Sequence, residues 1–257
     1  MIPLNKSTAT EKIIIQISDT HLMDHPDATF VEMNPESSFH AVIEDILKHY
    51  PQIDAIVHTG DLAQVAKPET YARYQAFMQK LNIPFYQIPG NHDDIQFFPF
   101  ETPDPMPTVL AFAEWRIVLL NSAVPKKIDG WISSEQLEHL KMILAANQQY
   151  SVVLACHHHP LEMKSNWIDR HKLKNTNELT DVLAKYSNIK AVIFGHVHQD
   201  SLNLWQNIQF LSTPSTSVQF KPLSFDFALD DIAPGYRSLL VKDNGEFDTL
   251  VHRVQKY

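Results

Sequence analysis

Five short apolar runs constrain this chain more than any other feature, because each one ends on side chains that bind metals. The runs are Ile13-Ile14-Ile15-Gln16-Ile17, Ala55-Ile56-Val57, Phe85-Tyr86-Gln87-Ile88, Val152-Val153-Leu154-Ala155 and Ala191-Val192-Ile193-Phe194. Bounded runs of this kind, rich in β-branched and aromatic residues, read as buried strands. Asp19 and His21 follow the first run, and Gly60-Asp61 the second. Gly90-Asn91-His92-Asp93 follows the third, His157 the fourth and Gly195-His196-Val197-His198 the fifth. The carboxyl ends of strands are where α/β sheets carry their ligands and chemistry.

Asp19, Asp61, Asn91, His21, His157, His196 and His198 form an oxygen–nitrogen donor set suited to a pair of divalent transition metals. Residues two apart on an extended segment point the same way, so Asp19 and His21 can converge on one ion, and His196-x-His198 repeats the spacing. The glycines before Asp61, Asn91 and His196 would let the backbone turn sharply into the site. Any single cluster reads equally well as turn residues and a satisfied polar histidine. Five together, each at a strand end, do not.

Helix candidates separate the strands. Pro35 to Tyr50 carries Phe39, Val42, Ile43, Ile46 and Leu47 on one face, and a helix from Pro68 carries Tyr71, Tyr74, Phe77, Met78 and Leu81. Ser133 can cap a helix to about Asn147, with Glu135 and Gln136 giving a capping-box-like start. Phe97 to Thr108, with four prolines, reads as a loop, and Asn177 to Tyr186 as a helix. From Leu202 onward the pattern turns to strands at 202–204, 209–211, 237–241 and 249–254. The expected fold is α/β: a four-layer α-β-β-α sandwich of two mixed β-sheets flanked by helices. One domain over 1–257 is expected, with residues 1–12 as a flexible N-terminal segment.

The formal charge of −9 with scattered basic residues argues against long nucleic acid as a partner. The one cysteine, Cys156, excludes an intramolecular disulfide and reads as a small buried residue. Residues 1–12 lack the apolar core of a secretory signal, and no run reaches the roughly 18 apolar residues of a membrane span. A cytoplasmic protein is expected, with a homodimer as the default assembly.

The order Asp-x-His, Gly-Asp, Gly-Asn-His-Asp, His and Gly-His-x-His resembles the calcineurin-like metallophosphoesterase superfamily. Ser18-Asp19-Thr20-His21-Leu22, Gly60-Asp61-Leu62-Ala63-Gln64 and His157-His158-His159-Pro160-Leu161 look like its bacterial 3',5'-cyclic AMP phosphodiesterases. So do Ser165-Asn166-Trp167-Ile168-Asp169, Thr213-Pro214-Ser215-Thr216, Val218-Gln219-Phe220-Lys221-Pro222 and Ala233-Pro234-Gly235-Tyr236-Arg237. The likeness runs from about Ile13 to His252.

The resemblance implies two adjacent sites holding Fe(2+) or Mn(2+). Asp19, His21, Asp61 and His198 would serve the first; Asp61, Asn91, His157 and His196 the second, with Asp61 bridging. Two divalent ions against two carboxylates leave a net positive site that attracts a phosphodiester. The implied reaction is hydrolysis of cyclic AMP to 5'-AMP by a metal-bridging hydroxide. His92 is the implied general acid, and His21, Asp61, Asn91, His92, His157 and His198 the implied substrate contacts. His158 and His159 are read as structural or substrate-facing.

One departure concerns Gln64, where many members carry an Asp that orients the catalytic histidine. Gln lacks the full charge that would stabilise an imidazolium, which weakens support for His92 unless Asp93 or solvent substitutes. The bacterial cyclic AMP branch looks the same at this position, so the difference reads as a subgroup trait and not as a loss of activity. Trp167, Phe220, Arg237 and His40 are candidates for contacts to the base. A broad-specificity phosphodiesterase or phosphomonoesterase is the alternative enzyme, and a non-catalytic scaffold the alternative of another class.

Overall fold

The computed structural model describes residues 11–255. Its elements begin with β1 (Glu11–Ile17), α1 (Pro35–His49), β2 (Ala55–His58), α2 (Pro68–Lys80), β3 (Phe85–Gln87), β4 (Thr108–Phe112) and β5 (Trp115–Leu119). They continue with α3 (Ser134–Ala146), β6 (Ser151–Cys156), α4 (Asn166–Asp169), α5 (Thr176–Leu183) and β7 (Ile189–Phe194). Strands complete the chain: β8 (Ser201–Trp205), β9 (Ile208–Ser212), β10 (Gln219–Phe220), β11 (Leu229–Asp230), β12 (Gly235–Lys242) and β13 (Phe247–Arg253).

Two large mixed sheets form. One has the order β13-β12-β1-β2-β3, with β1, β2 and β3 parallel and β12 antiparallel to β1. The other has the order β4-β5-β6-β7-β9-β8, parallel from β5 to β9 with antiparallel strands at both edges. Strand alternation assigns the layers. Ile15 and Ile17 of β1 pack with Phe39, Val42, Ile43 and Ile46 of α1 and Tyr71, Tyr74 and Met78 of α2. Ile14, one residue out of phase, joins Val153, Ala155, Ala191 and Ile193 of the second sheet. Val152, Leu154, Val192 and Phe194 face the opposite way, against Leu137, Leu140 and Leu144 of α3 and Leu179, Val182 and Leu183 of α5. The expected order of layers, helices, sheet, sheet, helices, is therefore present. Each fully buried aliphatic side chain stabilises this arrangement by roughly 1.5–3 kcal/mol.

The helix signals hold at their starts. Asn34 caps α1 by accepting from Ser37 N, with Pro35 in the first turn, and Ser133 caps α3 by accepting from Gln136 N. The capping box at α3 is only half formed, because the Gln136 side chain turns inward to Asn121 N and O instead of back to Ser133. Leu47, expected on the buried face of α1, is 40% exposed. It lies about 100° round the helix from Ile46, past the rim of the stripe. The proline-rich loop stops at Pro107, since Thr108 already pairs with Leu119 in β4. Of the segment 1–12, residues 1–10 lie outside the described residues; Glu11 and Lys12 belong to β1 and pair with Lys242 and Val241. Among the described residues no helix is long and apolar enough to cross a membrane.

Candidate metal centre

Backbone hydrogen bonds tie the loop after β1 to the loop after β2, and the loop after β6 to the loop after β7, before any side chain is considered. Asp19 N donates to Gly60 O at 2.9 Å, His21 N to Asp61 O at 3.1 Å and Leu22 N to Leu62 O at 2.9 Å. Gly195 N donates to His157 O at 3.2 Å, and Thr216 N reaches back to Ser18 O at 3.0 Å. Asp19, His21, Asp61, His196 and His198 have φ of 55°, 49°, 56°, 67° and 48°. For residues with a Cβ this left-handed region costs roughly 1–3 kcal/mol each, and it persists where surrounding structure imposes it. Asp19 and His21 thus do converge, but through two left-handed positions rather than along an extended segment.

The glycines act differently from one another. Gly60 has φ 100° and makes the sharp turn expected of it. Gly90 and Gly195 lack positive φ; they are needed because a Cβ would collide with Asp61 in the first case and with Ser18 and Asp19 in the second.

The donors group as Asp19, His21 and His198; His21, Asp61 and His92; Asp19, Asp61 and His157; and His157, His158 and His196, each group within 4.8 Å. Asn91 joins them, its Oδ1 lying 3.1 Å from His157 Nε2. The ring orientations favour a cation. His21 Nδ1 lies 2.8 Å from Gln64 Oε1, and His198 Nδ1 lies 2.7 Å from Val218 O; each donates its proton there. The two Nε2 atoms then face each other at 3.0 Å with no donor between them. Asp61 Oδ2 stands 3.7 Å from the first and Asp19 Oδ1 3.4 Å from the second. Acceptors gathered in this way without a donor require a positive charge among them. His196 adds a buried Nε2 with no hydrogen-bond partner among the described residues. Donor types and orientations therefore fit a divalent transition-metal pair.

Burial opposes the charge on Asp19 and Asp61. Nearby imidazoles win nonetheless: His198 and His157 hold Asp19 below the usual carboxylate range, and His157 and His92 hold Asp61 well below it. Burial drives His21 down to about 3 and His196 well below its ordinary value, so both stay neutral and ready to ligate. His157 differs. Burial works against its charge, but Asp61 and Asp19 push it up to about 9, so a proton and a metal ion compete for the same nitrogen.

His92 is exposed, its ring edge-on to His21 at 5.0 Å, and its backbone N–H donates to Asp61 Oδ1 at 2.9 Å. Its imidazole has no hydrogen-bond partner among the described residues. Gln64 is on His21, as described, and Asp93 is occupied elsewhere. The Asp93 carboxylate accepts from Gly90 N, Leu62 N, Ala63 N and Tyr71 Oη, tying together the loops after β2 and β3. Burial and the neighbouring Asp61 raise it to about 7.

His158 is structural: Ser122 Oγ and Ile128 O take its two ring nitrogens at 2.8 and 2.9 Å. His159 stacks on His196 and pairs through Nε2 with Asp169 at 3.3 Å. Of the four candidates for the base, Phe220 lies flat on His198 at 3.9 Å and Trp167, in the short helix α4, stands edge-on to Phe220 at 5.0 Å. The other two are not brought to the site. Arg237 is buried, bonded to Asp200, Ser212 O and Thr249. His40 stacks on Phe77 at 4.1 Å between α1 and α2.

Two supporting residues escaped the sequence reading. His58, kept neutral by burial with its pKa lowered to about 3, accepts from Gly60 N and bonds Thr20 Oγ1, which donates to Leu62 O. Phe30 stacks on His21 at 5.2 Å. A histidine directly after the apolar run Ala55-Ile56-Val57 was the available signal for the first. Nothing local marked the second.

The fold, the donor set and the order of the motifs together define the class. The chain belongs to the calcineurin-like phosphoesterase family, whose sequence profile matches residues 13–200. Members of this family work through a dinuclear metal centre, and His and Asp clusters of the kind it needs are present here. The chain is similar to the 3',5'-cyclic adenosine monophosphate phosphodiesterase CpdA of Haemophilus influenzae, 36% identical over 247 residues, 95% of this chain and 90% of the relative. To the CpdA protein of Escherichia coli it is 38% identical over 245 residues, 94% of this chain and 89% of that one. Among solved structures, a dimetal phosphatase from Danio rerio shares the fold, with a TM-score of 0.62 at 14% identity over 95% of this chain and 99% of that one.

Proposed function

We propose that this chain is a dinuclear-metal phosphodiesterase that hydrolyses 3',5'-cyclic AMP to 5'-AMP and so lowers cellular cyclic AMP. The observation that carries the reading is the meeting of His21 Nε2 and His198 Nε2 at 3.0 Å beside two buried carboxylates. The near full-length likeness to cyclic AMP phosphodiesterases supports the substrate. In this reading Asp19, His21, Asp61 and His198 hold one ion. Asp61, Asn91, His157 and His196 hold the other, and Asp61 is shared. Its Oδ2 lies 3.7 Å from His21 Nε2 and 3.4 Å from His157 Nε2, which supports the shared role. Mixed imidazole, amide and carboxylate donors suit iron(II) or manganese(II) better than magnesium or calcium. When bound, the two ions supply Lewis acidity that brings water towards ionisation near neutral pH and offsets charge building on the phosphoryl oxygens.

The chain's own residues prepare that chemistry. Gln64 Oε1, Val218 O and Thr59 O accept from Nδ1 of His21, His198 and His157, leaving each Nε2 turned inward. Asp61 Oδ1 anchors the backbone of His92, so the proton donor and the shared carboxylate keep a fixed relation. His92, exposed beside His21, holds the proton that the departing 3' oxygen takes. His21, Asp61, Asn91, His92, His157 and His198 bound the space for the cyclic phosphate. A scaffold role would leave this complete donor set, and its five left-handed residues, without a purpose. A cytoplasmic location and a homodimer belong to the same reading.

Incubating chelated and manganese-reconstituted protein with cyclic AMP tests the proposal. Chromatography should reveal 5'-AMP from the reconstituted sample alone. Turnover that survives exhaustive chelation, or a 3'-AMP product, would sink it.

A further inference from the structure

The ions and the phosphate do not explain how the other end of the substrate is held. Beside His198 lies a cavity of about 330 Å³ whose lining includes the apolar Phe220 and Ile232 and the carboxylates of Asp200 and Asp230. Asp200 is paired with Arg237, and the Arg253 guanidinium faces Asp200 and Asp230, so the lining is charge-balanced, offers no excess positive charge for a phosphate and suits a neutral heterocycle. Arg253 also lines it, with one guanidinium nitrogen donating to Gln219 Oε1 and Ala233 O.

The informative side chain is Gln199, which lines the same cavity. It is 4% exposed, and its Nε2 is buried with no hydrogen-bond partner among the described residues. Its backbone is fixed by His198 before it and by Ser212 Oγ, which donates to Gln199 O at 2.7 Å. A buried amide donor is rarely left unpaired, so an acceptor from a ligand is expected here. A glutamine amide offers a donor and an acceptor side by side. That is the complement of the N7 acceptor and N6 donor of adenine, whereas guanine offers two acceptors, N7 and O6, on the same edge.

We infer that this cavity is the subsite for the base and that Gln199 selects adenine over guanine. The inference rests on the reading of the chain as a cyclic AMP phosphodiesterase. Gln199 is a specificity residue: it touches the base and takes no part in the bond broken.

Titration calorimetry with 5'-AMP, 5'-GMP and ribose 5-phosphate on manganese-loaded protein tests it without turnover. The parent should bind 5'-AMP on the order of tenfold more tightly than 5'-GMP. Gln199→Met and the near-isosteric Gln199→Glu should each weaken 5'-AMP to within about threefold of 5'-GMP, with ribose 5-phosphate as the base-free reference. Two variants guard against one that misfolds. Equal affinities for 5'-AMP and 5'-GMP in the parent, or a preference that survives Gln199→Met, overturn the inference. If cyclic AMP is not hydrolysed but the 5'-AMP preference exists and disappears in the variants, the subsite stands and the proposed reaction falls.

Discussion

His21 Nε2 and His198 Nε2 stand 3.0 Å apart because the opposite nitrogen of each ring is already committed, to Gln64 Oε1 at 2.8 Å and to Val218 O at 2.7 Å. Gln64 thus orients a candidate ligand without being one. Removing such a support typically lowers metal affinity 10–100-fold. Gln64→Ala is predicted to weaken metal binding by about that factor while the protein stays folded, and Gln64→Glu, which keeps an acceptor, to restore it. Metal content after dialysis against graded chelator measures both. Parent-like retention by Gln64→Ala contradicts the role.

Gly90 carries a second prediction. A Cβ there meets Asp61, and the loop is held close because Asp93, which accepts from Gly90 N at 2.9 Å, also accepts from Leu62 N and Ala63 N. Gly90→Ala should destabilise the fold by roughly 1–3 kcal/mol through overpacking and displace Asp61. Metal stoichiometry should drop below that of the parent along with the thermal midpoint. A variant that melts and loads like the parent would show that the crowding relaxes elsewhere.

The proton on His157 gives metal binding a pH dependence of known sign. Although burial opposes it, Asp61 and Asp19 raise this group from 6.5 to about 9. Between those values the folded, metal-free chain holds a proton that the unfolded chain has lost. The associated stabilisation is complete below 6.5 and disappears as pH rises through about 9. An incoming ion must displace that proton, so affinity should climb by up to about tenfold per pH unit from neutrality and level off above about pH 9. Calorimetry in buffers of different ionisation enthalpy counts the released proton. Affinity that is flat between pH 7 and 9 contradicts the assignment.

His92 is exposed and its ring has no hydrogen-bond partner among the described residues, so its removal should change stability by no more than about 0.5 kcal/mol. His92→Ala should lower turnover by roughly 10²–10⁴ with metal content intact. The deficit should shrink for substrates with a better leaving group, such as p-nitrophenyl diesters. A uniform loss across leaving groups would point to phosphate binding instead of proton donation.

The five strands were legible because each is a short, largely apolar run, and the clusters were legible because each begins within three residues of the end of such a run. What was illegible lies beyond local pattern. The spacing of Asp19 and His21 suggested an extended segment, whereas φ values of 55° and 49° are imposed by hydrogen bonds to the loop after β2. Local pattern places Gln64 and Asp93 near His92, but neither supports its ring. Their partners, His21 and a set of backbone amides with Tyr71, depend on how two loops interlock. Arg237 had the chemistry of a base contact, but its two terminal guanidinium nitrogens are used by Thr249, Asp200 and Ser212 O. Gln199 gave no sequence signal, because an unpaired amide is visible only once its surroundings are built.

The most direct test of the account compares specificity constants of the manganese-loaded protein for cyclic AMP, cyclic GMP, 2',3'-cyclic AMP and bis-p-nitrophenyl phosphate, with products resolved. Cyclic AMP should give 5'-AMP with a specificity constant clearly above all the others. Cyclic AMP hydrolysed no better than the artificial diester would contradict it and leave a phosphodiesterase whose substrate lies elsewhere.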